Sequence, residues 1–376
     1  MSTESIASAI RDAARSQTPL RVTGRSTWLD AGRPVRADQR LSMRDDTGVV
    51  AYVPGDLTLT VRAGTTLSEI ETATREHGQW LPLDPYGSPD GTIGATLATA
   101  SAGPLSSSFG QARDLVLGVE FVTGRGEVVR GGGKVVKNVA GFDLSRLITG
   151  SWGTLGVITE VTLRLYALPK VDRTFSISLS GGERETASLL RAVIMSPLSP
   201  FALVLLNRRA ARVVGSGDDA VALIRFGGNE SMVSAEAAAL AQVASPREVE
   251  SDVWQRLRGF DDGAATVVRI SSLPRQFPGV SARILADDDP ETRMCIDPRR
   301  GLLRLAVGET SDVDANACDD RPADISGSVE TIFEKLRPDV WKDVAPSAIS
   351  DPLSQGIKRA YDPHNILNPG ILGDLS

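Results

Sequence analysis

Residues 81–104 read LPLDPYGSPDGTIGATLATASAGP and open the most informative part of the sequence, which continues to Pro169. Fifteen of the 36 glycines of the chain fall within the range Gly87–Gly156. Glycine loses the most backbone freedom on folding, so this density indicates positive φ angles or a close approach to the backbone. The quoted stretch has only two charged residues, Asp84 and Asp90. A nearly uncharged backbone surface rich in N–H groups suits a phosphate or a flat ring system.

The two commonest nucleotide-binding motifs do not fit this region. The nearest match to G-x-G-x-x-G is the run from Gly150 to Gly156, whose spacing is wrong. The phosphate-loop pattern fails as well, because Val135 follows Lys134 where that motif requires Ser or Thr. Glycine clustering by itself therefore leaves two interpretations open, a ligand site and a set of tight turns in an α+β domain.

Several ordered blocks of sequence decide between these interpretations. They are Pro85–Gly103 with Gly91-Thr92-Ile93-Gly94, Arg113–Gly118, Lys137–Leu144, Gly150–Glu160 and Asp362–Gly370. In this order they resemble the vanillyl-alcohol-oxidase-type family, whose FAD-binding domain is called PCMH-type. The Ala102-Gly103-Pro104 run and the opening from Leu20 to Pro34 are similar to the FAD-binding subunit of the bacterial glycolate oxidase complex.

The resemblance implies FAD as the cofactor and a set of residues that bind it. These residues are Gly24, Arg25, Ser26, Thr27, Pro85, Gly91, Thr92, Ile93, Gly94, Thr99, Ser101, Gly110, Arg113, Asp114, Lys137, Asn138, Gly153, Gly156, Val157, Ile158 and Asn368. Some relatives bond the flavin covalently to a histidine in the first loop, but residues 23–28 contain none. We therefore expect non-covalent FAD. No residue is assigned a catalytic role.

Composition excludes several classes of protein. The net charge of −6 argues against a nucleic-acid partner, which favours a basic surface. No apolar run approaches the roughly 20 residues that span a bilayer, and the N-terminus lacks the apolar segment of a secretory signal. Cys295 and Cys318 form neither a disulfide framework nor a metal-binding spacing. We expect a cytoplasmic protein, linked to the inner membrane only through partners, and no metal site.

Hydrophobic periodicity predicts an α+β fold with two domains. The resemblance implies that residues 1–170 form a PCMH-type FAD-binding domain. The alternating strands and helices that follow predict a cap domain with an antiparallel sheet over 171–339, and we expect the segment over 340–376 to return to the first domain. The predicted helices are 4–15, 66–76, 143–147, 183–195, 231–244 and 352–361. The predicted strands are 20–22, 49–53, 57–61, 158–165, 175–179, 201–206, 213–215, 221–226, 267–271 and 302–307, with a hairpin over 114–129.

A flavin carries out the hydride or electron step itself, while the protein binds and orients it. Substrate-oxidising relatives add a histidine-rich metal site in the cap, but both histidines of this chain, His77 and His364, lie outside residues 175–330. The composition therefore excludes a histidine base or histidine-bound metal in the cap. Three functions remain open at this point. In the first, the chain is an FAD subunit that relays electrons in a glycolate dehydrogenase-type complex. In the second, it is a stand-alone FAD oxidoreductase whose cap arginines (Arg269 or Arg304) hold a carboxylate. In the third, it is a non-catalytic scaffold subunit.

The first of these functions requires partners. The resemblance implies a catalytic flavoprotein subunit and an iron–sulfur subunit of a glycolate oxidase-type complex, which oxidises a 2-hydroxy acid. Under this hypothesis the present chain is an FAD-dependent oxidoreductase subunit that passes electrons towards the iron–sulfur subunit.

Overall fold

A computed structural model describes residues 2–133, 143–274, 281, 285, 291–308 and 330–373. The chain divides into two compact units. Unit 1 comprises Met1–Ala102, Gly110–Leu168 and Ala345–Ser376, and unit 2 comprises Gly103–Phe109 and Pro169–Val344. Gly103–Phe109 lies inside the predicted 1–170 domain, but the structure groups it with unit 2. Lys137, Asn138 and Cys318 lie outside the described residues.

The described part of unit 1 contains the strands β1 (Leu20–Thr23), β2 (Gln39–Ser42), β3 (Val49–Val53), β4 (Thr58–Arg62), β5 (Gln79–Trp80), β6 (Val116–Val122), β7 (Val128–Gly132), β8 (Val157–Arg164) and β9 (Tyr166–Ala167). Five of them form an antiparallel sheet with the order β3-β4-β8-β6-β7, and the other four form two small sheets. Strands β1 and β2 pair in parallel, and β5 pairs with β9. The predicted strands of this unit and the 114–129 hairpin are thereby confirmed.

The helices of unit 1 begin at recognisable caps. They are Thr3–Ser16, Leu67–Arg75, Ile93–Thr99, Ala112–Leu115, Leu144–Ile148 and Pro352–Tyr361, with one 3₁₀ turn at Pro54–Asp56. Thr66 and Glu69 form the predicted capping box, in which each side chain accepts a hydrogen bond from the other residue's backbone N–H. Asp351 caps the last helix by accepting from two backbone N–H groups.

Two apolar clusters hold unit 1 together. The larger joins the five-stranded sheet to the helices beside it, through residues such as Leu59, Phe121 and Val161, all fully buried. The smaller packs the N-terminal helix against Val122 and the C-terminal Leu367. Since burial of each such side chain stabilises the fold by about 1.5–3 kcal/mol, the C-terminal segment is an integral part of unit 1.

The described part of unit 2 contains the strands β10 (Val171–Ser178), β11 (Ala202–Leu206), β12 (Val221–Gly228), β13 (Arg247–Val249), β14 (Thr266–Ser271), β15 (Thr292–Asp297), β16 (Leu302–Val307) and β17 (Glu330–Lys335). They form one antiparallel sheet with the order β13-β10-β12-β11-β15-β16-β14-β17. Its helices are Ser106–Phe109, Glu183–Met195, Arg208–Val213, Glu230–Val243, Val253–Arg258 and Trp341–Val344, with a 3₁₀ turn at Gly259–Asp261.

One predicted strand of unit 2 is wrong. The sequence Val213-Val214-Gly215 lies at the end of the helix Arg208–Val213. Asn207 caps that helix by accepting a 3.0 Å hydrogen bond from the Ala210 N–H. A capping side chain commits the following residues to a helical turn, and this local signal outweighs the weak strand preference of two valines. The α+β fold with antiparallel sheets is otherwise as predicted.

Candidate cofactor-binding site

A cleft lies wholly within unit 1, between loops that follow its strands and its C-terminal segment. The residues that line it are Arg21–Leu29, Ala31, Val35, Met43, Ala63, Leu67, Pro85–Ser88, Gly91, Thr92, Gly94–Thr96, Ala98, Thr99, Ser101, Trp152, Gly153, Gly156–Ile158, Asn368 and Ile371. Most of them are apolar or small, so the cleft is a backbone-rich surface with few charges.

The first cleft loop follows strand β1. Ser26 within it has a φ of 63°, a left-handed conformation that turns the chain sharply. Gly24 lies so close to Thr92 that a Cβ atom on it would stand 2.3 Å from the Thr92 hydroxyl oxygen. The loop therefore packs against the helix Ile93–Thr99 only because residue 24 has no side chain.

Two buried polar atoms of this loop lack hydrogen-bond partners among the described residues, the Thr23 hydroxyl and the Arg25 Nε. A buried polar group without a partner costs about 1–3 kcal/mol, so such atoms indicate a place where a ligand supplies the missing bond. A hydroxyl and a guanidinium are the groups that bind phosphate oxygens. The donor set thus fits the pyrophosphate of a dinucleotide.

A second source of positive charge lies beside the loop. Arg21 on β1 stands opposite Arg40 on β2 in the parallel register. Burial, and then repulsion from Arg40, lowers the pKa of the Arg21 guanidinium. Its Nη2 donates to the Leu29 carbonyl, which fixes the side chain along the cleft wall. Two like charges placed opposite each other destabilise a strand pair, and an anion bound nearby would relieve that repulsion.

The second cleft loop is the quoted glycine-rich stretch. Thr92 caps the helix Ile93–Thr99 by accepting from the Ala95 N–H at 3.3 Å. Gly94 approaches the backbone of Ala63 so closely that its N–H donates to the Ala63 carbonyl at 2.9 Å. A Cβ on Gly94 would meet the Ala63 Cβ at 2.8 Å. The stretch is therefore glycine-rich partly because its own helix packs tightly against the end of β4.

The third cleft loop, Gly150–Gly156, is tied to the C-terminal segment through Asn368. The Asn368 side chain accepts from the Val22 N–H at 2.7 Å and donates to the Trp152 carbonyl at 2.7 Å. A Cβ on Gly153, whose φ is 69°, would stand 2.7 Å from the Asn368 amide nitrogen. One side chain thus joins strand β1, which leads into the first loop, with the third loop and the C-terminal segment.

The structure brings most of the predicted site residues together. Fifteen of them line the cleft: Gly24, Arg25, Ser26, Thr27, Pro85, Gly91, Thr92, Gly94, Thr99, Ser101, Gly153, Gly156, Val157, Ile158 and Asn368. Of the remainder, Lys137 and Asn138 lie outside the described residues. The other four, Ile93, Gly110, Arg113 and Asp114, are not among the residues that line the cleft.

Packing and local turn structure explain the positions of these four residues. Ile93 is fully buried in the larger core cluster. Gly110 has a φ of 88°, and Asp114 accepts from the Gln111 N–H at 2.9 Å to begin the short helix Ala112–Leu115. Arg113 is exposed on that helix. A cofactor role for these residues stays a prediction.

Sequence reasoning missed several cleft residues. Trp28 and Trp152 are the most prominent, together with Arg21 and Tyr86. Trp28 directly follows the predicted loop residue Thr27. Trp152 lies inside the matched block Gly150–Glu160, but only two glycines and two aliphatic residues of that block were predicted to bind FAD. The signal that could have found both is a large aromatic residue placed among glycines.

The cap arginines do not offer an open carboxylate site. Arg304, with 7% of its side chain exposed, contacts Glu334 at 2.7 Å and also pairs with Asp261. Arg269 contacts the other oxygen of Glu334 at 3.2 Å. Across the residues that the structure describes, no group of three His, Cys, Asp or Glu side chains could hold a metal ion.

Comparison with known proteins agrees with this geometry. A family model for an FAD binding domain matches residues 1–132. The glycolate oxidase subunit GlcE of Escherichia coli is 36% identical over 275 residues, which cover 72% of this chain and 73% of GlcE. The chain belongs to the family of GlcE. FAD is therefore its cofactor, and it is a member of the FAD-dependent oxidoreductases.

One further relative and one solved structure extend the comparison. The glycolate oxidase subunit GlcD of Bacillus subtilis is 29% identical over 213 residues, which cover 56% of this GlcE-family chain and 45% of GlcD. The structure of 4-ethylphenol oxidase from Gulosibacter chungangensis matches 99% of the chain and 88% of its own length, with a TM-score of 0.70 and 16% identity. That likeness shows the shared fold. None of the described helices is long and apolar enough to cross a membrane.

Proposed function

We propose that this chain is the FAD-holding electron-relay subunit of a glycolate oxidase-type complex, in which a partner flavoprotein oxidises the 2-hydroxy acid. The partners are that catalytic flavoprotein and an iron–sulfur subunit. The names of the GlcE and GlcD relatives as glycolate oxidase subunits support a multi-subunit assembly. The proposal includes non-covalent binding of FAD, because the loop Thr23–Trp28 has no histidine.

The observation that carries the proposal is the pairing of the cap arginines. An enzyme that oxidises a 2-hydroxy acid has to hold its carboxylate and remove a proton. Arg304 is already neutralised by Asp261 and Glu334, and breaking such a buried pair costs about 3–5 kcal/mol. Arg269, with 30% of its side chain exposed, lies 3.2 Å from Glu334. Because residues 175–330 contain no histidine, an imidazole base is missing there too. Both features disfavour the stand-alone oxidase.

The cleft residues divide the work of holding the cofactor. The Thr23 hydroxyl and the Arg25 guanidinium would bind the pyrophosphate, while Gly24 lets the backbone approach it. Asn368 fixes the third loop relative to strand β1, which leads into the first loop. When bound, FAD supplies the hydride and electron chemistry. The protein contributes binding, orientation and exclusion of water from an apolar cleft.

An anaerobic titration of the purified chain tests the proposal. We expect the protein to carry FAD whose absorbance is bleached by dithionite but not by glycolate or D-lactate. Addition of the catalytic flavoprotein subunit with glycolate should then bleach it. Bleaching by either acid with the isolated chain would overturn the relay function. If dithionite reduces the flavin of this chain but the catalytic subunit with glycolate does not, the result would instead favour a scaffold function.

A further inference from the structure

The chain leaves unit 1 for seven residues and then returns to it. This excursion segment, Gly103–Phe109, belongs to unit 2, while Met1–Ala102 before it and Gly110–Leu168 after it belong to unit 1. Thr99 and Ser101, shortly before the segment, line the cofactor cleft. A restraint on the excursion segment in unit 2 therefore acts, through the chain, on one wall of the cleft.

One turn of unit 2, between strands β15 and β16, holds the excursion segment. The Arg300 guanidinium donates to the hydroxyl of Ser106, a residue that is 8% exposed. The neighbouring Arg299 donates to the Ser108 hydroxyl at 3.3 Å and to the Pro200 carbonyl at 2.9 Å. Because the donors are charged, these hydrogen bonds are stronger than those between neutral groups. We call Arg299 and Arg300 the arginine clamp.

The turn that carries the arginine clamp is itself fixed. Asp297 accepts hydrogen bonds from the backbone N–H groups of Arg299 and Arg300, both at 3.1 Å. Gly301 has a φ of 65°, and a Cβ on it would stand 2.1 Å from the Ser272 carbonyl oxygen. The backbone around the two arginines is thus closely packed and hydrogen-bonded, so the clamp has little freedom to follow a moving excursion segment.

An aromatic contact holds the far end of the excursion segment. The rings of Phe109 and Phe201 meet edge to face, with centroids 4.9 Å apart and planes inclined by 75°. The Phe201 ring in turn lies on Gly227 of β12, where a Cβ would stand 2.1 Å from it. Three side chains of the segment are therefore attached to unit 2, and the segment connects this unit to the cleft wall with little slack.

We infer that Arg299 and Arg300 are positioning residues that couple FAD binding in the cleft to the stability of unit 2. Bound FAD would order Thr99 and Ser101, and the arginine clamp would pass that restraint to the turn between β15 and β16. Such coupling is reciprocal, so the clamp strengthens FAD binding by the same factor by which FAD stabilises the clamped state. The inference rests on an FAD site in the cleft and not on the relay function.

Hydrogen exchange of the full-length protein with and without FAD tests the coupling. In wild type we expect FAD to slow exchange about fivefold in peptides that cover the turn between β15 and β16. In Arg299→Ala/Arg300→Ala that effect should disappear, and the FAD dissociation constant should rise about fivefold. Lysine at both positions keeps a charged donor and should recover part of each effect. Arg212→Ala, which removes an exposed arginine of the same unit, is the matched control and should behave as wild type.

A second variant distinguishes coupling from direct contact between the arginines and the cofactor. Ser106→Ala/Ser108→Ala removes acceptors of the clamp and leaves both guanidinium groups in place. The same two losses are expected if the excursion segment carries the coupling. If the arginine variant loses both effects but the serine variant keeps them, the arginines act on FAD directly and the inference is overturned. Wild-type behaviour of both double variants would overturn it as well.

Two further measurements keep these outcomes separate from other failures. Exchange of β12 in the flavin-free variants should equal that of wild type, which shows that unit 2 is folded. If the arginine variant fails this check, the serine variant alone decides. If wild-type protein does not bind FAD, the cofactor site itself is wrong. Failure of the relay function in the anaerobic titration leaves the coupling unaffected, because exchange and affinity are measured without turnover.

Discussion

Lys358 and Asp362 form a buried ion pair that fastens the C-terminal segment to the cofactor domain. The Lys358 ammonium lies 2.6 Å from the Asp362 carboxylate, and their side chains are 3% and 0% exposed. The same ammonium donates to the Thr154 carbonyl at 2.9 Å, and Asp362 accepts from the Ile366 and Leu367 N–H groups. Burial lowers the pKa of Lys358, while Asp362 opposes that shift. The pair thus links the last helix, the third cleft loop and the segment that carries Asn368.

Removing one member of this pair should be strongly destabilising. Lys358→Met leaves the Asp362 carboxyl group in a buried site without its cation. We expect the free energy of unfolding to fall by about 3–5 kcal/mol, measured by denaturant titration. Arg359→Met, on the exposed face of the same helix, should change it by no more than about 0.5 kcal/mol. A loss below about 1 kcal/mol in Lys358→Met would mean that the pair does not hold the C-terminal segment.

Asn368 should act on cofactor affinity through the positions of two loops. Its φ of 45° suits glycine, so Asn368→Gly removes the side chain without adding backbone strain. Losing two partly buried hydrogen bonds should lower the free energy of unfolding by about 2 kcal/mol and weaken FAD binding. Asn365→Gly is the matched control, because its φ is 50° and it lies outside the cleft lining. Equal FAD affinities in the two variants would contradict a positioning role for Asn368.

The close approach of Gly24 to Thr92 predicts that a substitution at Gly24 weakens FAD binding and that a second substitution at Thr92 partly restores it. In Gly24→Ala the new methyl group would collide with the Thr92 side chain, which should displace the first loop and weaken FAD binding. Adding Thr92→Ala removes the colliding atoms at the expense of about 1 kcal/mol for the lost helix cap. We therefore expect the double variant to bind FAD more tightly than Gly24→Ala, measured by calorimetry.

Gly55→Ala serves as the control for the added methyl group. Nothing lies within 4 Å of the position that its Cβ would take. Its FAD affinity should match wild type. If Gly24→Ala also bound FAD as wild type does, the cleft would tolerate movement of the first loop, and the packing argument for Gly24 would fail.

Asp297 should make the stability of unit 2 depend on pH. Burial raises the pKa of Asp297 from 3.8 to about 6, against hydrogen bonds from the Arg299 and Arg300 N–H groups. The folded state then binds more protons than the unfolded state between these values. The free energy of unfolding should therefore fall by roughly 2 kcal/mol as pH rises from 4 to 7.

Asp297→Asn isolates that contribution. The amide oxygen still accepts the two backbone hydrogen bonds but does not ionise. As pH rises through 6, the thermal unfolding midpoint of wild type should fall relative to that of the variant, so the difference between the two midpoints should grow. If the difference between the two unfolding midpoints stayed constant from pH 4 to 7, the raised pKa of Asp297 in the folded state would be contradicted.

Most of the secondary structure was predictable because its signals are local. The Thr66–Glu69 capping box, the period-two pattern of β10 and the apolar spacing of the N-terminal helix each need only a few neighbouring residues. The strand predicted at Val213–Gly215 is wrong because only those three residues were considered. The stronger signal, the helix cap at Asn207, lies six residues before them. Most predicted site residues also proved to share one cleft, since the matched blocks carry the loops as whole units.

The sequence by itself determined the family, the α+β fold and the flavin as cofactor. The order of the glycine-rich blocks and the lack of histidine in the cap can be read directly from the order of the residues. Only the tertiary structure decided which residues meet. It placed Trp28 beside Trp152, set Asn368 between two loops and paired the arginines of unit 2 with its own carboxylates. These contacts join residues tens to hundreds of positions apart, and their energies depend on distance and burial, which a linear sequence does not specify.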